Sequence, residues 1–204
     1  NKLVKDIQFS QDIDIVVCNA GIYGPIGSLE KNNPTEWEET IYTNLFGVVN
    51  VCRAVIPQMK ENEKGKIIIL SGGGATKPMP NFSAYASSKA AVVRFGETLA
   101  EELRDYNIDV NMVAPGSMNT KFMEQAIEAG PENSGKNFHN QMIKQKQDGG
   151  ASIQNAAELC LFLASEKSNG ITGKLISAVW DDWRNLTPDK LTKDLYTLRR
   201  IDKK

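Results

Sequence analysis

Tyr85 and Lys89 stand four residues apart in the run Tyr85-Ala86-Ser87-Ser88-Lys89. On a helix that spacing puts both side chains on one face. A free phenol ionises near a pKa of about 10, and an adjacent ammonium favours the phenolate and lowers that value. Such a pair can exchange a proton with a substrate oxygen near neutral pH. The same spacing also arises by chance, and a partly exposed surface pair is the plain structural alternative. The neighbouring elements decide between them.

Those elements alternate. Residues 13–18 (I-D-I-V-V-C) form a short apolar β-branched run that Asn19-Ala20-Gly21 ends, the pattern of a buried strand and a tight turn. Asn33-Pro34-Thr35-Glu36 opens a helix, with Thr35 and Glu38 spaced as a capping box and apolar residues at helical spacing to Met59. Residues 66–70 (K-I-I-I-L) read as a second strand, cut off by Gly72-Gly73-Gly74. A long helix is expected over 83–106, a third strand over 108–113 stopped by Pro115-Gly116, and broken helix over 120–147. A helix over 155–164, a last strand over 173–179 and a helical stretch after Pro188 complete the order. Alternation of this kind predicts an α/β fold with a parallel sheet and right-handed βαβ crossovers. Ligands bind such sheets outside the carboxyl ends of the strands, where Asn19-Ala20-Gly21, Ser71-Gly72 and Pro115-Gly116 all fall.

Bulk properties narrow the chemistry. At 204 residues and 41% hydrophobic content, the chain can bury the core of one domain. A net charge of -1 gives no reason to expect nucleic acid or an anionic membrane as partner. Cys18, Cys52 and Cys160 are scattered in apolar contexts and His139 is the only histidine, so no metal site is expected. The cysteines read as buried thiols of a reducing compartment, and no membrane span or signal peptide is evident. A cytoplasmic protein is expected.

Taken in order, Cys18-Asn19-Ala20-Gly21, Asn44 within T-N-L-F-G, Tyr85-Ala86-Ser87-Ser88-Lys89, and Pro115-Gly116 with Thr120 resemble the motifs of the short-chain dehydrogenase/reductase family, in its single-domain branch. The resemblance runs from the first strand to about residue 179. It implies a Rossmann-like, doubly wound parallel sheet flanked by helices. It also implies an oxidoreductase that moves a hydride between NAD or NADP and a carbonyl or alcohol substrate. By the same resemblance Tyr85 is the catalytic acid/base, and Lys89 binds the nicotinamide ribose and tunes the phenol. Asn44 holds a water that links Lys89 to solvent. Asn19, Ala20 and Gly21 line the adenosine half of the cofactor, although Asn19 serves equally well as a purely architectural tie between strands. Pro115, Gly116 and Thr120 orient the carboxamide end. The long helices over 35–59 and 83–106 match those that pair between subunits, so a homodimer or homotetramer is implied.

Two departures qualify the resemblance. The family's active-site serine usually precedes the tyrosine by thirteen residues, and Gly72 occupies that position here. Either the glycine-rich loop turns Ser71 into the site, or no serine acts and a group such as Thr76 stands in. Losing such a donor typically costs about 10²–10³ in rate. The second departure is at the front. No glycine-rich phosphate-binding turn precedes Ile13, and residues 1–9 resemble the tail of the helix that feeds the first strand. The chain 1–204 is therefore expected to be a single partial domain lacking the first βαβαβ portion, inactive alone, with an exposed sheet edge.

Residues 117–150 are the expected substrate lid. Met118, Phe122, Met123, Ile127, Phe138 and Met142 there either line an apolar pocket or pack a helical insert. Trp180 and Trp183 flank Asp181-Asp182, which suits either sugar recognition or packing of the C-terminal segment. A catalytically impaired member serving as a binding or assembly module is the other function class, and Gly72 is the feature that supports it.

Overall fold

The structure, a computed structural model, describes residues 12–200. The helix tail expected over residues 1–9 and the last four residues, 201–204, lie outside the described residues. Four strands form one sheet: β1 (Ile15–Cys18), β2 (Gly65–Leu70), β3 (Ile108–Ala114) and β4 (Lys174–Ser177). They pair in parallel in the order β1-β2-β3-β4, with Val16 opposite Ile67, Ile67 opposite Val110 and Val113 opposite Ile176. Near-continuous β-branched runs suit such strands because both faces of the sheet are covered.

The helices are α1 (Pro34–Ile41), α2 (Gly47–Glu61), α3 (Ser83–Glu102), α4 (Lys121–Glu128), α5 (Gly130–Ser134), α6 (Lys136–Asp148) and α7 (Ile153–Ala164). The expected helix over 35–59 is interrupted, because a π-helical turn, Tyr42–Phe46, joins α1 to α2. The expected Thr35 cap is also displaced by two residues. Asn33 is the cap, accepting the Thr35 N–H at 2.9 Å. Pro34 takes the first helical position, where a missing N–H costs nothing.

Side chains alternate across the sheet. Ile67, Ile69, Val110 and Met112 pack with Val48, Cys52, Val55 and Met59 of α2 and Val92, Val93 and Leu99 of α3. On the opposite face Ile68, Val113 and Ile176 pack with Ala156, Leu159 and Leu163 of α7. Helices thus cover both faces, as the doubly wound class requires. The arrangement corrects one expectation. Because α7 lies on the opposite face while β4 continues in the same direction, the β3–β4 crossover has the opposite hand to the two before it. Uniformly right-handed crossovers are therefore not realised.

The expected C-terminal helix shrinks to one 3-10 turn, Pro188–Lys190. Beyond it, the buried Lys174 ammonium gathers the carbonyls of Thr192, Lys193 and Leu195 at 2.8, 3.1 and 2.9 Å. Leu175 N–H donates to Tyr196 O at 2.7 Å, and Glu97 accepts the Leu198 N–H at 2.7 Å. Side-chain ions from β4 and α3 satisfy this backbone instead of a helical ladder. At the other edge, β1 pairs only with β2 among the described residues, and Ile15 and Val17 are exposed. No described helix is long and apolar enough to cross a membrane.

Candidate active site

β2 ends in Leu70-Ser71-Gly72, and α3 begins at Ser83, so its first turns lie over the carboxyl ends of the strands. Tyr85 and Lys89 sit one turn apart on the inner face of α3, and both are buried. The Lys89 Nζ donates to the Leu70 carbonyl at 2.9 Å and lies 5.8 Å from the Tyr85 ring centre. A surface pair would have neither burial nor a strand carbonyl as partner.

Asn44 is placed by the π-helical turn. A widened turn of this kind pushes one residue out of the regular ladder and recurs at functional sites. Asn44 is fully buried. Its Oδ1 accepts the Ile22 N–H at 2.8 Å, and its Nδ2 donates to Ile22 O and to Ser88 Oγ, both at 2.9 Å. The Ser88 hydroxyl donates in turn to the Tyr85 carbonyl at 2.7 Å. The amide therefore ties the loop after β1 to the helix that carries Tyr85 and Lys89.

Gly21 completes this convergence. A Cβ there would lie 3.3 Å from both the Asn44 Oδ1 and the Lys89 Nζ. The bare glycine lets an amide oxygen and an ammonium approach the loop closely. Asn19 and Ala20 precede it and are exposed. The Asn19 side chain bonds no described residue, so the strand-tying alternative is not realised among them.

Pro115 and Gly116 follow β3. Gly116 has a φ of +88°, and a Cβ there would meet Val179 Cγ2 at 2.5 Å and Ala151 Cβ at 2.8 Å. Glycine is needed for both reasons. Thr120 sits just before α4, where its carbonyl accepts the Met123 N–H at 3.0 Å.

Ser71 and Gly72 divide the space near the phenol. The Ser71 hydroxyl is buried and directed at the Lys89 main-chain carbonyl, 3.5 Å away. The Cβ direction of Gly72 is the one that runs to the phenol, and an atom there would lie 2.2 Å from Tyr85 Oη. The Tyr85 hydroxyl thus occupies room that a side chain at position 72 would need. Thr76 is exposed.

Burial sets the electrostatics. It pushes the Tyr85 phenol well above its ordinary value, and the nearby Tyr23 adds to the rise. Burial lowers Lys89 to about 8. The expected lowering of Tyr85 by the ammonium is not found: desolvation of the phenolate dominates, and the Lys89 Nζ donates to the Leu70 carbonyl. Burial thus favours the neutral form of the Tyr85 phenol.

Above the phenol lies an aromatic cover. Tyr23 stands edge-on to Tyr85 with ring centres 4.6 Å apart, and it also meets Phe82 at 5.1 Å and Phe122 at 4.5 Å. Residues 117–150 fold as α4, α5 and α6, and they bring Met123, Ile127, Phe138 and Met142 into the same cluster. Met118 does not join them and packs with α7 against the sheet. Trp183 is buried against Phe162, with ring centres 5.9 Å apart, whereas Trp180 is exposed. The tryptophans are therefore not a pair. Tyr23 escaped the sequence reading; its position two residues after the Asn19-Ala20-Gly21 turn was the available signal. The three cysteines are free thiols, and no metal-binding cluster occurs among the described residues.

Comparison with known proteins agrees with this geometry. The short chain dehydrogenase family model matches residues 1–130. A 3-oxoacyl-[acyl-carrier-protein] reductase FabG of Chlamydia trachomatis is 34% identical over 166 residues, covering 81% of this chain and 63% of that protein. A 3-ketodihydrosphingosine reductase of Bacteroides thetaiotaomicron is 30% identical over 196 residues, covering 92% of this chain and 72% of that protein. Among solved structures, an NAD+-bound xylitol dehydrogenase superposes with a TM-score of 0.74 at 27% identity, covering 86% of this chain and 70% of that one. A gluconate 5-dehydrogenase from Burkholderia cenocepacia, in complex with NADP and tartrate, gives 0.74 at 26% identity, covering 85% and 66%. The chain spans under two thirds of the length of the chlamydial reductase.

Proposed function

Because the chain belongs to the short-chain dehydrogenase family, we propose that the full-length protein is an NAD- or NADP-dependent oxidoreductase acting on a small carbonyl or alcohol substrate. The observation that carries this reading is the convergence of Lys89 and Asn44 above Gly21, one helical turn from Tyr85. The dinucleotide supplies or accepts the hydride. In reduction, Tyr85 gives its proton to the carbonyl oxygen as that oxygen gains charge, and the alcohol leaves. In oxidation the same phenol returns to the neutral form by taking the alcohol proton.

The remaining residues serve that proton. Lys89 offers donors to the ribose hydroxyls and places a positive charge near the phenol, which eases its ionisation when substrate is present. Asn44 fixes the loop that carries Gly21, where a water bound to its oxygen passes protons to Lys89. Asn19, Ala20 and Gly21 border the adenosine side; Pro115, Gly116 and Thr120 border the carboxamide side. Residues 117–150 act as a lid that must part before substrate reaches the buried phenol, and its aromatic lining favours apolar carbonyl compounds.

Tyr85→Phe in the full-length protein tests the reading. Turnover of a panel of ketones and aldehydes, followed by cofactor absorbance, should fall by about 10²–10⁴. An unaltered rate would remove Tyr85 from the chemistry. Free thiols at Cys18, Cys52 and Cys160 support action in the reducing cytoplasm.

A further inference from the structure

We propose that Tyr23 is a second catalytic phenol, donating to the substrate carbonyl oxygen the hydrogen bond that residue 72 cannot supply. The inference rests on the oxidoreductase reading above and adds a residue to it. At position 72 there is no side chain, and none fits while Tyr85 holds its place, since even a Cβ would come within 2.2 Å of Tyr85 Oη. Ser71 turns its hydroxyl to the Lys89 carbonyl, and Thr76 is exposed. Among the described residues, neither the Tyr23 nor the Tyr85 hydroxyl has a hydrogen-bond partner. Neither oxygen is sealed from solvent, and the two rings stand edge-on with centres 4.6 Å apart, so a substrate carbonyl oxygen can take the place of water at both.

Tyr23 is also well held. Its ring makes edge or tilted contacts with Tyr85, Phe82 and Phe122 at 4.6, 5.1 and 4.5 Å. The following Gly24 lies against Thr40, which bonds back to the Glu36 carbonyl at 2.8 Å. Burial raises the Tyr23 phenol to about 12, which keeps it a donor through the physiological range. Its role needs no net proton transfer. Tyr85 delivers the proton, while Tyr23 lends its O–H to the oxygen as negative charge gathers there and recovers it when the alcohol forms. Such preorganised donors act most strongly where water is excluded.

The test uses the full-length protein and Tyr23→Phe, which keeps every ring contact and removes one oxygen. With NADH or NADPH and an aromatic aldehyde such as 4-nitrobenzaldehyde, kcat should fall by about 10²–10³ while the KM for cofactor is unchanged. Binding of trifluoroacetophenone, followed by fluorine NMR without cofactor, should weaken about threefold to tenfold, and binding of the oxygen-free trifluoromethylbenzene should not change. Equal loss of both ligands would show a packing effect and overturn the assignment. A rate lowered by Ser71→Ala and untouched by Tyr23→Phe would give the role to Ser71. If Tyr85→Phe abolishes turnover and Tyr23→Phe leaves it intact, only this inference fails. If the unaltered protein turns over no probe with either cofactor, the oxidoreductase reading fails with it.

Discussion

Replacing Gly72 by alanine isolates the contact that shapes this site. The φ of -174° at Gly72 is extended backbone that any residue adopts, so the substitution carries no torsional strain. What it adds is one methyl, 2.2 Å from Tyr85 Oη, 3.0 Å from Cζ and 3.4 Å from Cε1. Restoring 3.4 Å at the oxygen requires the phenol to retreat by more than 1 Å, towards Tyr23 and Phe122. Overpacking of this kind costs about 1–3 kcal/mol, against about 0.4–1 kcal/mol recovered by stiffening the unfolded chain. A net loss of about 1–2 kcal/mol is expected in equilibrium urea unfolding. Gly73 provides the control, because a Cβ there meets nothing within 4 Å; Gly73→Ala should be neutral or slightly stabilising. The double variant Gly72→Ala with Tyr85→Phe removes the closest atom, so the two changes should couple by about 1 kcal/mol. Turnover of Gly72→Ala should fall by about 10²-fold, the usual result of a 1 Å misplacement. If Gly72→Ala matched Gly73→Ala in stability, or if its penalty were the same with phenylalanine at 85, the phenol would not occupy the space assigned to it.

The ionisable groups give a second expectation. Unfolded lysine keeps its proton to 10.5 while buried Lys89 releases it at about 8, so stability should rise with pH between those values, by at most about 1.4 kcal/mol per unit. Above pH 10 the sign reverses, because Tyr85 and Tyr23 hold protons that unfolded phenols release. Urea midpoints across this range should therefore peak near pH 10, and Lys89→Met should flatten the rising limb, to which Lys174, also lowered by burial, adds. Asn44→Ala strands the N–H and carbonyl of Ile22 and should cost about 2–4 kcal/mol, read from the same unfolding curves. Phe122→Ala thins the cover and should raise kcat/KM for bulky ketones more than for small ones, at a stability cost of about 1–2 kcal/mol. Light scattering should show the full-length protein as a dimer or tetramer. Tyr42→Glu should shift it towards monomer, since Tyr42 and Phe46 present an exposed stacked pair, 5.1 Å between ring centres, beside α2.

Strands were the most legible part of the fold. The runs at 66–70 and 108–113 match β2 and β3 to within a residue, because strands buried on both faces leave an unbroken apolar signature. Tyr85, Lys89 and Asn44 were likewise legible, through spacing and family resemblance, and the structure brings them together. Interactions distant in sequence were not. The π-helical turn leaves no periodic trace, because the apolar positions across it, Ile41, Leu45 and Val48, keep ordinary helical spacing. The edge contact between Tyr23 and Tyr85 joins β1's loop to α3, and no local rule links those positions. A helical stretch was expected after Pro188, yet the Lys174 ammonium gathers three carbonyls of that tail.

That ammonium and the Glu97 carboxylate give the last residues an importance beyond their length. Both ions are buried, and residues 192–199 supply all three carbonyls around one and an N–H and a guanidinium for the other. A protease that trimmed this segment would strip the Lys174 ammonium of its three carbonyls and leave Glu97 with Arg94 as its remaining partner. A clip at the end of the chain would thus loosen both β4 and the second half of α3. Acetylation of Lys174 would loosen the same fastening without cutting a bond.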